Sequence, residues 1–372
     1  MTNSNTMPYF NPAARAWRAE PLRTSPIEFH RSIPGYVPTP LINLPELADS
    51  LGVRSVLVKD ESQRLGLPAF KILGASYAIA CALSERFGAD EVLPLEELSD
   101  QLDGNVERLS LIAATDGNHG RAVAHVAGLL GLTATIYVPP GVSGAAKAAI
   151  VAEGAELVEL DLPYDDVVTQ AAKHLDGSSL LIQDTSWDGY EAVPQWIADG
   201  YATMVQEVDE QLRENSLESL DAVFVPAGVG SLAQAVVHHY RSTEHAPATV
   251  VVEPDTAASV TTALHAGEVV PIDTGDTVMT GLNCGTVSEL AWPILRDGVD
   301  ATVTVTDEQA LAAVAELAHL GVDSGPCGAS NLAGLRKAAV DDELRSALSL
   351  DTDSVIVLLS TEGTVANPKG TV

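Results

Sequence analysis

Short runs rich in valine, isoleucine and leucine recur along this chain, and stretches with helical periodicity separate them. That alternation constrains the fold more than any other feature, because strand–helix–strand repeats close most readily into a parallel sheet covered by helices. Strands are expected at Ser55–Lys59, Ser110–Thr115, Thr133–Val138, Glu156–Leu160 and Leu180–Asp184. Further ones are expected at Ala222–Val225, Thr249–Glu253, Ala301–Val305 and Ser354–Leu359. Helical patterns fall at Gly74–Arg86, Arg121–Leu130, Val167–Leu175, Ile197–Arg213, Ser231–Arg241 and Glu308–Leu320. The first fifty residues are rich in proline and are expected to wrap the core as extended chain and short helix. At 372 residues the chain exceeds one ordinary core. The expected organisation is α/β, with a large domain from residues 1–75 and 181–372 and a smaller βαβ domain, 76–180, inserted after Lys71.

Hydrophobic residues make up 46%, and 29 glycines and 21 prolines are spread along the chain, as in globular proteins. No apolar run reaches membrane-spanning length, and the N-terminus lacks the basic and apolar regions of a signal peptide. Cys81, Cys284 and Cys327 lie too far apart to suggest a disulfide framework or a cysteine metal site. No His, Asp and Glu set has metal-ligand spacing, so no metal is expected. The expectation is a soluble cytoplasmic protein. A net charge of −31 leaves no basic excess to neutralise phosphates, which argues against nucleic acid or an anionic membrane as the partner.

Lys71 stands out as one cation in the apolar and small-residue stretch Ala69-Phe70-Lys71-Ile72-Leu73-Gly74-Ala75-Ser76. The chain has six lysines against 51 acidic residues. Such a lysine either lays its stem along a helix start with its head in solvent, or is desolvated so that its neutral amine becomes a nucleophile.

Three junctions add to it, each where a strand turns into a loop, the place where open α/β sheets bind ligands. Thr115-Asp116-Gly117-Asn118-His119-Gly120 precedes a helix. Its glycines allow a tight turn, its amides suit a substrate carboxylate, and Asn118 suits a phenolic oxygen. Pro226-Ala227-Gly228-Val229-Gly230-Ser231 opens another helix, where backbone N–H groups and the Ser231 hydroxyl suit a small phosphate monoester. It lacks the lysine of a P-loop and the full dinucleotide fingerprint. Ser360-Thr361-Glu362-Gly363 ends the last strand with hydroxyls that suit an unprotonated ring nitrogen. An amine for an aldehyde carbon, an amide for a phenolic oxygen, a phosphate turn and a hydroxyl for a ring nitrogen together match pyridoxal 5′-phosphate.

With these motifs the chain resembles the tryptophan-synthase-like (fold type II) pyridoxal-phosphate enzymes, and within them the lyases that act on 2,3-diaminopropionate. The likeness rests on Lys59-Asp60-Glu61-Ser62, Ala69-Phe70-Lys71, Ala114 to Gly120 and Gln183-Asp184-Thr185-Ser186-Trp187-Asp188-Gly189-Tyr190. It continues through Ala227-Gly228-Val229-Gly230-Ser231, Val252-Glu253-Pro254, Gly281-Leu282-Asn283-Cys284-Gly285 and Ala291-Trp292-Pro293-Ile294-Leu295. The resemblance implies two doubly wound three-layer (αβα) domains with mostly parallel sheets, a homodimer, and α,β-elimination of the diamino acid to pyruvate and two ammonia. Lys71, Asp116 and Asp184 would be catalytic. Lys71 would carry the cofactor and serve as base on the L substrate, Asp116 as base for the D isomer, and Asp184 would orient the amino group. Phe70, Asn118, Ala227, Gly228, Val229, Gly230, Ser231, Ser360 and Thr361 would line the cofactor. Thr115, Gly117 and His119 would join the two aspartates around the amino-acid substrate.

Related hydroxy-amino-acid dehydratases usually carry Ser where Asp116 stands. A carboxylate there would repel the substrate's own carboxylate by on the order of 1 kcal/mol or more in a partly dry site, unless the substrate brings a second ammonium. Diaminopropionate does; serine does not. The alternatives are a serine/threonine dehydratase or a β-substituting enzyme with the same cofactor, and a nucleotide-binding protein using the Gly228 turn alone. The chain departs from the family pattern at Gln63, where His is common, at Pro68, where Asn is common, and at Pro326-Cys327 in place of Glu-Ser.

Overall fold

The computed structural model describes residues 7–104, 109–115, 117–217, 219–244 and 246–367. In chain order its strands are β1 (Leu41–Asn43), β2 (Ser55–Asp60), β3 (Ser110–Ala114), β4 (Thr133–Val138), β5 (Glu156–Glu159) and β6 (Ser179–Leu181). They are followed by β7 (Ala222–Pro226), β8 (Ala248–Pro254), β9 (Ala301–Val305) and β10 (Val355–Ser360). The chain forms two compact units. One comprises Met1–Arg23, Pro38–Ala69 and Met204–Val372, and the other Thr24–Val37 and Phe70–Thr203. The helix Ala192–Glu214 continues through the division at Thr203.

The first unit holds a six-stranded sheet in the order β1-β2-β10-β7-β8-β9. All neighbours are parallel except β1, which pairs antiparallel with β2. Val56, Val58, Phe224, Val250, Val303 and Ile356 enter one core with the helices Asp307–His319 and Pro326–Val340. The residues between them, such as Leu57, Val223, Val251 and Val357, are equally buried. Successive strand residues point to opposite faces, so both faces of this sheet are covered. That is why its strands read as continuous apolar runs. The short β1 escaped the sequence expectation because it is three half-exposed or exposed residues at an edge.

The second unit carries a four-stranded, all-parallel sheet in the order β5-β4-β3-β6. Its core includes Ile112, Ala114, Tyr137, Val167, Ala171 and Leu181. The strand expected to reach Asp184 stops at Leu181. Ile182 N makes the last ladder bond, to Ile112 O. Beyond it, side chains replace the ladder: His119 Nε2 bonds the Ile182 carbonyl at 2.7 Å, and Gln183 Oε1 accepts from the Ala114 amide at 3.0 Å. Asp184 is thereby released from the sheet.

Candidate active site

Lys71 opens the helix Lys71–Arg86, three residues earlier than the apolar pattern suggested. Its side chain is 30% exposed. The first turn of that helix has no acid, so the helix dipole opposes a cation there. Asp184 supplies the missing negative charge, with Oδ2 3.2 Å from Lys71 Nζ. The aromatic rings of Phe70 and Tyr201 complete the surroundings, their centroids 5.6 and 5.8 Å from Nζ and 4.7 Å from each other.

Two glycines bring these groups together. A Cβ on Gly74 would stand 2.5 Å from Tyr201 Cε1 and 2.8 Å from the Ile197 carbonyl oxygen. One on Gly200 would stand 2.5 Å from the Leu73 carbonyl oxygen and 3.0 Å from Gly74 Cα. The helices Lys71–Arg86 and Ala192–Glu214 therefore meet backbone to backbone, and that approach lays the Tyr201 ring beside Lys71. The sequence reading did not single out Tyr201. Its signal was the pair Gly74 and Gly200, each inside a helical pattern where glycine is otherwise unfavourable.

Asp184 is held from several directions. Gln183 Nε2 lies 3.4 Å from its Oδ1 and donates to the Tyr164 hydroxyl at 3.0 Å. The Gln183 amide donates to the Tyr190 hydroxyl, which in turn donates to the Leu181 carbonyl. Burial pushes the Asp184 carboxyl up, but the charges of His119 and Lys71 outweigh it and hold the group below the usual carboxylate range. Because His119 Nε2 faces a carbonyl, it carries a proton, and Nδ1 is buried with no hydrogen-bond partner among the described residues.

The turn ahead of the helix Asn118–Leu129 departs from the expected anion cradle. Thr115 Oγ1 accepts from the Gly117 amide at 3.0 Å and the Gly120 amide at 3.1 Å, so two of its amides are already engaged. Gly120 lies inside the helix and serves packing, since a Cβ there would fall 2.2 Å from Thr115 Cγ2. Asn118 is half-buried at the first helical position. Asp116 lies outside the described residues.

The first unit contains the other expected loops. Gly230 caps the helix Ser231–Arg241 in the left-handed conformation, φ 97°, which favours glycine. A Cβ on Gly228 would meet Cys284 Sγ at 2.9 Å and the Gly281 carbonyl oxygen at 3.0 Å. Ala227 is buried, and the Val229 carbonyl accepts from Ser288 N at 2.8 Å. A glycine turn feeding the N-terminus of an eleven-residue helix has the chemistry of a phosphate site. At the end of β10, Ser360 and Thr361 are buried, and Ser360 Oγ bonds Ser324 Oγ at 2.7 Å. Gly328 permits this, because a Cβ there would collide with the Thr361 amide nitrogen at 2.7 Å. Cys327, in place of the family's serine, is buried, and burial with Glu362 nearby pushes its thiol far up, so it is a packed, inert group.

Trp187 is 37% exposed and stacks on Tyr190 with centroids 4.3 Å apart. His239 Nε2 pairs with Asp209 Oδ2 at 2.8 Å. Among the described residues no group of His, Cys, Asp and Glu could hold a metal ion, and no helix is long and apolar enough to cross a membrane.

An amine at a helix start, with a carboxylate partner and aromatic walls, together with a glycine turn suited to a phosphate, fits the chemistry of pyridoxal phosphate. A family model for pyridoxal-phosphate dependent enzymes matches residues 33–362, and the chain belongs to that family. Within it, the chain is 38% identical over 351 residues to the diaminopropionate ammonia-lyase of Escherichia coli, covering 90% of this chain and 87% of that one. The crystal structure of the E. coli diaminopropionate ammonia-lyase in complex with D-serine superposes with a TM-score of 0.85, at 34% identity, over 98% of this chain and 96% of that chain. The biosynthetic L-threonine dehydratase of Corynebacterium glutamicum is more distant, 27% identical over 88% of this chain and 70% of its own.

Proposed function

We propose that this enzyme converts 2,3-diaminopropionate and one water to pyruvate and two ammonia. The carrying observation is the Lys71–Asp184 pair at 3.2 Å, in a chain 38% identical to a diaminopropionate ammonia-lyase over 90% of its length. Lys71, Asn118, Gly228 to Ser231, Ser360 and Thr361 would hold pyridoxal phosphate, as the family resemblance implies. When bound, that group supplies an electron sink for the charge left at Cα.

The chain's own residues do the rest. Lys71, as a neutral amine, takes the proton from Cα of the L isomer, and Asp116 takes it from the D isomer. The Asp184 carboxylate, kept ionised by His119 and Lys71, orients the substrate's ammonium. The buried Nδ1 of His119, with no partner of its own among the described residues, is a polar contact for the substrate. A carboxylate at Asp116 favours a substrate with two amino groups, since the second ammonium offsets repulsion between carboxylates. A homodimer in the cytoplasm completes the reading, and light scattering tests the dimer.

The deciding assay offers purified protein D- and L-diaminopropionate, serine and threonine, and measures keto acid and ammonia. Two ammonia per keto acid from diaminopropionate, at a kcat/KM above that for serine, is the expected result. Faster turnover of serine or threonine would show a hydroxy-amino-acid dehydratase instead.

A further inference from the structure

The Tyr201 hydroxyl is the buried polar group beside Lys71 that the mechanism above leaves without a task. The residue is 1% exposed, and its oxygen has no hydrogen-bond partner of ordinary geometry among the described residues. An orphaned buried hydroxyl is a cost to folding and calls for an explanation. Packing alone does not require it, because the ring contacts with Gly74 and Phe70 would be kept by phenylalanine. Its neighbours are informative. Burial pushes the phenol up to about 12, the Lys71 ammonium opposes that, and Asp184 adds to it.

A neutral lysine amine has two N–H bonds and one lone pair. To aim the lone pair at a substrate Cα, both hydrogens need acceptors elsewhere. Asp184 Oδ2 takes one. We propose that Tyr201 is a positioning residue for Lys71, its hydroxyl oxygen accepting the second N–H so that the lone pair faces the substrate. Lys71 Nζ stands 5.8 Å from the Tyr201 ring centroid, and the hydroxyl is close enough to feel the lysine's charge. The backbone contact of Gly74 with Gly200 holds the ring at that place. This inference rests on Lys71 acting as the base.

The test is Tyr201→Phe in the full-length protein. With diaminopropionate, kcat is expected to fall about ten- to a hundredfold, while KM stays within about twofold. A second measurement needs no turnover. In full-length protein freed of cofactor, labelling of Lys71 by an amine-reactive reagent is followed against pH by mass spectrometry. Losing an acceptor for the ammonium shifts the labelling midpoint down by about half a pH unit or more, with Asp184 and His119 present in both proteins. The melting temperature is expected to hold or rise, since an unpaired hydroxyl is removed. An unchanged midpoint overturns the proposal, and so does a melting temperature several degrees lower, which would make the hydroxyl structural. Wild-type protein inactive on diaminopropionate would defeat the substrate reading instead, leaving the labelling arm to decide Tyr201.

Discussion

Gly74→Ala sets two known quantities against each other. Alanine in a helix interior is favoured over glycine by about 1 kcal/mol. Opposing this, the new Cβ would stand 2.5 Å from Tyr201 Cε1 and 2.8 Å from both Ile197 Cγ2 and the Ile197 carbonyl oxygen. The side-chain contacts could turn away, but the carbonyl belongs to the facing helix's backbone, so the helices must separate. Overpacking of a tight core costs about 1–3 kcal/mol, and a clash with backbone belongs at the upper end. The net expectation is a loss of about 2 kcal/mol, read as a lower urea midpoint in equilibrium unfolding. Because the same contact sets Tyr201 beside Lys71, kcat should fall along with stability. A Gly74→Ala protein as stable as wild type would refute the close-approach argument. Gly200→Ala, facing the Leu73 carbonyl oxygen at 2.5 Å, gives an independent check of the same contact from the other helix.

Other outcomes follow from the same geometry. Lys71→Ala should abolish the visible absorbance of the bound cofactor and leave nothing for borohydride to trap on the chain; retained colour would defeat the assignment of Lys71. Asp184→Asn should cost about 1 kcal/mol at neutral pH, a figure kept small because both partners are partly exposed. The sign is set by the lowered carboxyl of Asp184: its contribution is complete above the unfolded value of about 4 and disappears as pH falls through the depressed folded value. Unfolding of the asparagine variant should therefore show a flatter acid limb than wild type. Glu207→Gln should cost about 3–5 kcal/mol in urea unfolding, because buried Lys59 and Arg64 both lose a carboxylate at 2.6 Å. A loss below about 1 kcal/mol would mean that water reaches this cluster.

Much of this was legible in the sequence, for reasons that differ between elements. β7, β8, β9 and β10 announced themselves because a parallel strand covered on both faces has no polar alternation. Gly230 was readable because a strand followed by glycines and a helix has few backbone solutions, one of which is the left-handed cap seen at φ 97°. Gly120 was misread on the same logic. Nothing local distinguishes a glycine that turns the chain from one that makes room, and the neighbours that require it, Thr115 and Ile136, come from the preceding turn and from an adjacent strand.

The lysines draw the boundary most clearly. The sequence by itself determined that Lys71 lies in an apolar stretch before a helix, and that strand-end loops elsewhere carry complementary chemistry. By desolvation alone, however, the stronger candidate is Lys59, with no exposed side-chain surface and an amine drawn down by burial. Tertiary structure decided between them. Lys59 is tied to Glu207, the Thr39 carbonyl and Gln211, beside the pairing of Arg64 with Glu61 and Glu207, so its charge is spent on the fold. Lys71 keeps partial exposure, a carboxylate contact with Asp184 at 3.2 Å and the Tyr201 hydroxyl nearby. Hydrophobic period and turn chemistry act over a few residues and can be read in order along the chain. The carboxylates that assign each lysine's charge to folding or to chemistry, Glu207 for Lys59 and Asp184 for Lys71, lie over a hundred residues away, and only the packed chain brings them within ångströms.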